Sequence, residues 1–412
     1  MSFQKNIRIN DYDYNLPKEK IALYPLPERD ASKLLVYKNK QISETIFRNI
    51  ANEIPKDALL VFNDTKVIHA RIVTSTPTGA RIEIFCLEPI DPVDVQLAFQ
   101  QKNRCVWKCF VGGNRKWKGD SLQITTRHSE RSEETVGKQI PHFVRDDNSV
   151  VIKRGEKLDD AWEIIFEWNN DLTFAEILET VGKIPLPPYI HREVEDSDED
   201  RYQTIFAKIK GSVAAPTASL HFTENVLKSL VEKGIETATL TLHVGAGTFK
   251  PVTTETIGNH IMHDEKVMVS QECLQKILKA KAENRPIIPV GTTSLRSLES
   301  LYWLEPNEQH VSQWKPYEDS EMASTPLSHL VLRSLSEVEA PAPIVFSTSL
   351  MITFGYKFRI ATGIITNFHQ PKSTLLLLIS AIVGDDWHKI YDYALSHDFR
   401  FLSYGDSCLL LL

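Results

Sequence analysis

Apolar residues fall along the chain in two recurring arrangements. Short, continuously apolar runs bounded by turn residues read as buried strands: Leu34-Leu35-Val36-Tyr37, Ala58-Leu59-Leu60-Val61-Phe62, residues 237–244, and Pro286-Ile287-Ile288-Pro289-Val290. Helical spacing appears over 172–181, where Phe174, Ile177, Leu178 and Val181 share one face, and again over 273–282. A helix after Thr223 is stopped by Gly234, and another is expected across 45–51. Asn63-Asp64-Thr65-Lys66 reads as a turn followed by a strand over 67–71. The longest greasy run, 375–383, is too short to span a bilayer and reads as a buried strand or helix.

From 71 to 168 the pattern changes. Short alternating segments such as Arg81-Ile82-Glu83-Ile84-Phe85-Cys86-Leu87 and Trp162-Glu163-Ile164-Ile165-Phe166 are punctuated by Gly, Pro and Asp, which predicts a small β-barrel or sandwich. Residues 127–140 read as a polar hairpin tip, and 303–345 as an irregular surface excursion. Strand–helix alternation on both sides of a β-rich middle predicts an α/β domain, 1–61 with 171–412, interrupted by a β domain at 62–170.

Composition narrows the class. At 412 residues, 42% hydrophobic and 25% charged, the chain has room for two domains. The net charge of −7 excludes a bulk polycation, so any nucleic acid must be met by a local patch. Five scattered cysteines with no Cys-x-x-Cys pair argue against a disulfide framework or a thiolate zinc site, and a polar start argues against a signal peptide. The expectation is a cytoplasmic protein.

Two small-residue runs each carry a histidine: 211–223, holding Pro216, Thr217 and His221, and 241–251, holding His243, Gly245, Gly247 and Thr248. Loops this poor in bulk gain little from packing and suit close backbone approach to a small, flat ligand. Gly245-Ala246-Gly247 fails as a dinucleotide fingerprint because Lys250 and Pro251 stand where the third glycine and the helix should be. It is a tight turn or a ligand loop. Gly291-Thr292-Thr293-Ser294 opens a helix after a strand, either as simple capping or as an anion site that Arg296 would reinforce. Two histidines three apart, His260 and His263, lie beside Asp264 and Glu265 with no firm third ligand, so acid/base work by His263 or Glu265 is favoured over a metal. Thr366 to Thr374, with His369 and Lys372, is a structural loop or an anion contact. Asp64 and Lys66 belong to an Asx-type turn or to the polar edge of a site. Arg115, Lys116, Trp117 and Lys118, near Arg104 and Lys108, form either an RNA patch or a solvated hairpin.

Longer runs carry a resemblance. Phe62-Asn63-Asp64-Thr65-Lys66-Val67-Ile68, Pro185-Leu186-Pro187-Pro188-Tyr189-Ile190, Asp200-Arg201-Tyr202-Gln203-Thr204, residues 211–223, 242–252 and 366–375, and Phe401-Leu402-Ser403-Tyr404-Gly405-Asp406 resemble the S-adenosylmethionine:tRNA ribosyltransferase-isomerases of queuosine biosynthesis over nearly the whole chain. Ser219, Lys250, Phe354 and Gln370 stand where that family usually has Gly, Arg, Pro and Leu, and 303–345 is longer than its pattern.

The resemblance implies a larger α/β, barrel-like domain carrying a smaller inserted all-β barrel. It also implies transfer and isomerisation of the ribosyl part of S-adenosylmethionine onto 7-aminomethyl-7-deazaguanine at the tRNA wobble position. The products are epoxyqueuosine, adenine and methionine, with no metal and no cofactor beyond the donor. On that reading His243 and His221 are the acid/base candidates and His263 and Glu265 the reserves. Pro216, Thr217, Gly245, Gly247 and Thr248 would contact the donor, while Thr292, Thr293, Ser294 and Arg296 would hold its carboxylate. Asp64, Lys66, Arg192, Arg201, His369 and Lys372 would meet the tRNA. The protein is expected to act as a monomer off the membrane. The alternatives are an S-adenosylmethionine-dependent RNA methyltransferase and a catalytically altered tRNA-binding paralogue.

Overall fold

A computed structural model describes residues 3–125, 149–245, 252–305, 307–318 and 342–412. The expected hairpin tip at 127–140 and most of the 303–345 excursion therefore lie outside the described residues, as do Gly247 and Thr248. The chain divides into two compact units, one made of 1–66, 187–193 and 197–412, the other of 67–186 and 194–196.

The larger unit is mixed α/β. Its six-stranded sheet runs in the order Ile287–Pro289, Leu59–Asn63, Glu236–Leu242, Glu265–Val269, Ile344–Thr348 and His310–Val311. The first three strands are parallel, and all five residues of Leu59–Asn63 are buried, as a strand covered on both faces requires. Parallel neighbours need crossovers, and the amphipathic helices Glu224–Glu232 and Gln271–Ala282 supply them, each capped by a hydroxyl, Thr223 or Ser270.

A four-stranded sheet, in the order Gly363–Asn367, Ser407–Leu411, Lys33–Lys38 and Gln41–Ile46, joins the first through the parallel bridge Val290–Ile365. The greasy run 375–383 is the helix Thr374–Val383, capped by Ser373 and buried along most of its length. Residues 45–51 do not form the expected single helix. Thr45 and Ile46 finish a strand paired across to Lys33 and Leu34, and the helix is only Ile50–Glu53. A β-branched pair on an edge strand follows tertiary pairing over local spacing.

The smaller unit is a seven-stranded antiparallel sheet in the order Gly182–Lys183, Arg71–Ser75, Arg81–Asp91, Arg104–Gly112, Ala161–Trp168, Ser149–Leu158 and Ser121–Thr125. Thr65 and Lys66 of the expected turn join Val67 in a short strand, Thr65–Val67, so the strand expected over 67–71 is split: Ile68 to Ala70 lie outside it and the next strand begins at Arg71. Helix Phe174–Val181 starts at a capping box between Thr173 and Glu176 and drives Phe174 against Trp107, Phe166 and Trp168. The basic cluster at 115–118 offers no aromatic platform, because the Trp117 ring is buried with Arg154 over its face. Arg104 and Lys108 are paired with Asp91 and Glu88, so this surface behaves as a solvated hairpin.

Candidate active site

In the larger unit, four chain segments converge on a cleft of about 750 Å³ including its open mouth. The first small-residue run gives Ala214, Ala215, Pro216, Thr217 and Ala218, and the second gives Val244. Gly291, Thr292 and Thr293 come from a strand-to-helix junction, and Thr366, Asn367, His369 and Gln370 from the end of strand Gly363–Asn367 and the turn after it. Tyr189 and Ser403 complete the polar lining and share a hydrogen bond of 2.5 Å. A cleft of this size, mostly apolar with a few convergent polar groups, suits a nucleoside.

The junction at Gly291 is a backbone requirement. Gly291 has φ +93°, ψ 151° as N-cap of helix Thr292–Trp303, a conformation that a side chain would strain. It leaves the first N–H groups of a twelve-residue helix at the cleft wall beside the Thr292 and Thr293 side chains. Ser294 and Arg296 sit behind that wall. Ser294 is wholly buried, and Arg296 Nη2 lies 2.6 Å from Glu265 Oε2 without hydrogen-bond alignment. His263 Nε2 lies 3.4 Å from the other oxygen of the same carboxylate. Glu265 and Arg296 are thus a buried ion pair with the half-buried His263 imidazole beside it, and none of the three lines the cleft.

Neither proposed histidine lines the cleft directly. His221 is 5% exposed, one residue layer back. Thr217 donates to Asn367 Oδ1 at 3.0 Å, and the Asn367 amide faces His221 Nε2 at 3.3 Å. On the far side His221 Nδ1 meets Ser32 Oγ at 2.9 Å and the Arg29 carbonyl at 3.4 Å. A carbonyl can only accept and the amide nitrogen can only donate, so this network assigns the proton to Nδ1 and the lone pair to Nε2. Burial lowers the His221 pKa to about 4, opposed by the Arg29 carbonyl and helped by the charges of Arg400 and Arg29, so the ring is neutral at pH 7.

His243 adjoins the cleft residue Val244, its Nδ1 3.1 Å from Thr65 Oγ1. Gly211 packs on its face so closely that a Cβ there would stand 2.4 Å from Cε1 of the imidazole. That contact, together with a backbone φ of +156°, accounts for a glycine in the first run. Among the described residues nothing stands within 4 Å of where a Cβ on Gly245 would lie.

The residues expected at the tRNA are scattered. His369 is in the cleft wall, its Nε2 3.0 Å from Thr366 Oγ1 and its pKa lowered to about 3 by burial. Tyr14 hydrogen-bonds its carbonyl. Lys372 is half-exposed and paired with Asp13 at 2.9 Å. Asp64 is buried, accepts from Thr241 at 2.7 Å, and has its pKa raised by desolvation; Lys66 is half-buried beside it. Arg192 grips Asp198 with both terminal nitrogens, at 2.6 and 2.7 Å, under the ring of Tyr24. Arg201 donates to the carbonyls of Pro27 and Leu26.

Sequence reasoning passed over Ser32, Asn367, Tyr189 and Ser403. Each stands in a run that was legible, but a lone Ser or Asn carries no spacing signal, and only the fold shows that Asn367 relays between Thr217 and His221.

The fold and cleft define a mixed α/β protein with a nucleoside-sized polar site built from strand ends. The family model described as queuosine biosynthesis protein matches residues 9–410, and the chain belongs to that family. It is 36% identical over 403 residues to the S-adenosylmethionine:tRNA ribosyltransferase-isomerase of Aromatoleum aromaticum (98% of this chain, 97% of the relative). To the protein of the same name from Halothermothrix orenii it is 37% identical over 410 residues (98% and 100%). A crystal structure of S-adenosylmethionine tRNA ribosyltransferase from Thermotoga maritima is 26% identical and covers 97% of this chain and 100% of its own, at a TM-score of 0.46.

Proposed function

We propose that the protein is a transferase that moves and isomerises the ribosyl part of S-adenosylmethionine onto 7-aminomethyl-7-deazaguanine at the tRNA wobble position, giving epoxyqueuosine, adenine and methionine. The support is family membership along almost the full chain, joined to one observation: the two small-residue runs meet in a single cleft. The positive sulfur acidifies the adjoining ribose carbon and leaves as a neutral thioether. A base must take that proton, an acid must help adenine leave, and the acceptor amine must be neutral to attack.

Two imidazoles beside the cleft are candidates for these steps. His221, unprotonated at neutral pH with its lone pair on Nε2, is the candidate to accept a proton once a rotamer change brings it past Asn367 to the cleft. His243, steadied by Thr65 and Gly211, is the partner candidate. Pro216, Thr217 and Gly245, with Gly247 and Thr248, would hold the nucleoside. The helix start at Thr292 and Thr293 would take the methionine carboxylate on main-chain N–H groups, with Ser294 and Arg296 supporting it from behind. Glu265 and His263, already tied to Arg296, are reserves for the acid/base work. Asp64, Lys66, Arg192, Arg201, His369 and Lys372 remain assigned to the tRNA side. On this reading the larger, barrel-like α/β domain is catalytic and the β-rich insertion is a small barrel. The protein works in the cytoplasm as a monomer, and S-adenosylmethionine is its only small-molecule requirement. Nucleoside analysis of tRNA after incubation with the donor should show the epoxide-bearing nucleoside. A methylated base in its place would overturn the assignment.

A further inference from the structure

A second concavity of about 280 Å³ adjoins the cleft, lined by Arg29, Arg201, Arg400, Ser32, His221 and Tyr404, with Ser403 common to both. Three guanidiniums in one small pocket repel each other unless something negative enters. Of the three, only Arg400 has a carboxylate partner among the described residues, Asp406 at 3.3 Å. Arg29 is held by the carbonyls of Gln203 and Asp200 at 2.6 and 2.5 Å, and Arg201 by those of Pro27 and Leu26. Main-chain carbonyls fix a guanidinium in place without cancelling its charge, and the Nε–H of Arg201 is buried with no acceptor. The nearby acid Asp198 is already neutralised by Arg192. The edge of this region is exposed and aromatic: Tyr24 is 51% exposed, and the Arg192 guanidinium lies 4.2 Å from its ring centroid.

We propose that this arginine pocket is a subsite for one backbone phosphate of the RNA substrate, flanking the nucleotide whose base enters the cleft, with Tyr24 as an adjoining stacking surface. It rests on the reading of the substrate as tRNA. The chemistry is that of an oxyanion, and the guanidinium fork matches phosphate oxygens. His221 lies between the two concavities, contacting the cleft residue Asn367 on one side and lining the arginine pocket on the other. A phosphate there would offset the positive field of Arg29 and Arg400 that helps keep His221 neutral, so RNA binding would tune the proton-transfer group.

The test uses the full-length protein and anticodon stem–loops that each carry one neutral methylphosphonate. With wild-type protein one position should lose affinity about tenfold, and Arg201→Gln should bind the unsubstituted stem–loop about tenfold more weakly while showing no further loss at that one position, where it binds as wild type does. The salt slope of binding should fall by about 0.7 in the variant, and the Kd for S-adenosylmethionine should not change. Loss of donor binding with RNA affinity intact would make the pocket the carboxylate site and overturn the proposal, as would no change in either ligand. Should Arg201→Gln melt early, the wild-type scan decides alone: a flat profile overturns the subsite. Position-dependent binding without adenine release would sink the proposed reaction and leave the phosphate subsite standing.

Discussion

His221 shows how one buried side chain links stability to chemistry. Its ring is neutral because burial outweighs the carbonyl of Arg29, and the same holds for His369. Both folded-state pKa values, about 4 and about 3, lie below the ordinary 6.5. The unfolded chain therefore binds protons that the folded chain refuses, and stability present above pH 6.5 is lost as pH falls toward 4 and then 3. His221 alone accounts for about 3 kcal/mol of that loss by linkage. Urea melts at pH 7 and pH 4.5 should show the drop, and His221→Gln should flatten it. An unchanged slope in that variant would remove His221 as its source.

Gly211 belongs to the same scale. A methyl there meets the His243 ring at 2.4 Å and the φ of +156° is itself unfavourable to a side chain, so Gly211→Ala should push the imidazole off Thr65, cut adenine release to the level of His243→Ala and lower the melting temperature as well. Full activity in Gly211→Ala would show that the position of the imidazole is irrelevant.

Helix Thr292–Trp303 carries the cleft threonines at one end and a buried carboxylate along its body. Glu299 is fully buried and accepts from the backbone of Arg359, Ile360 and Ala361 at 2.9, 3.0 and 2.8 Å, and from the Tyr356 hydroxyl at 2.9 Å. Burial raises its pKa against those four donors. The clamp ties the helix to the segment leading into strand Gly363–Asn367, so Asn367 and Thr292 reach the cleft from elements locked together. Glu299→Gln puts an amide N–H₂ against donors and should cost about 2–4 kcal/mol. Calorimetry reads it, and a cost near zero would show that the clamp is dispensable.

Much at this scale was legible beforehand, because helix 224–232 and strand 59–63 announce themselves by caps and by continuous apolarity. The strand ending at Ile46 and the buried Trp117 were not, since pairing and burial depend on residues far along the chain.

Across the whole molecule, the sequence reading placed a β-rich region within an α/β chain, and the structure divides into a unit built on a seven-stranded antiparallel sheet and a mixed α/β unit. The cleft itself was legible only as two glycine- and alanine-rich runs. That they meet follows from the parallel pairing of Leu59–Asn63 with Glu236–Leu242 and from the hydrogen bond of Val213 N to the Val244 carbonyl at 3.1 Å. No periodicity reports such contacts. All five cysteines are buried and free, and no helix among the described residues is long and apolar enough to cross a membrane.

The central claim is that this cleft breaks the bond between ribose and adenine. Incubating the protein with S-adenosylmethionine and tRNA bearing 7-aminomethyl-7-deazaguanine, and quantifying the small-molecule products by chromatography, tests it directly. One free adenine and one methionine per tRNA modified is the predicted result. S-adenosylhomocysteine in their place, or no adenine at all, would contradict it.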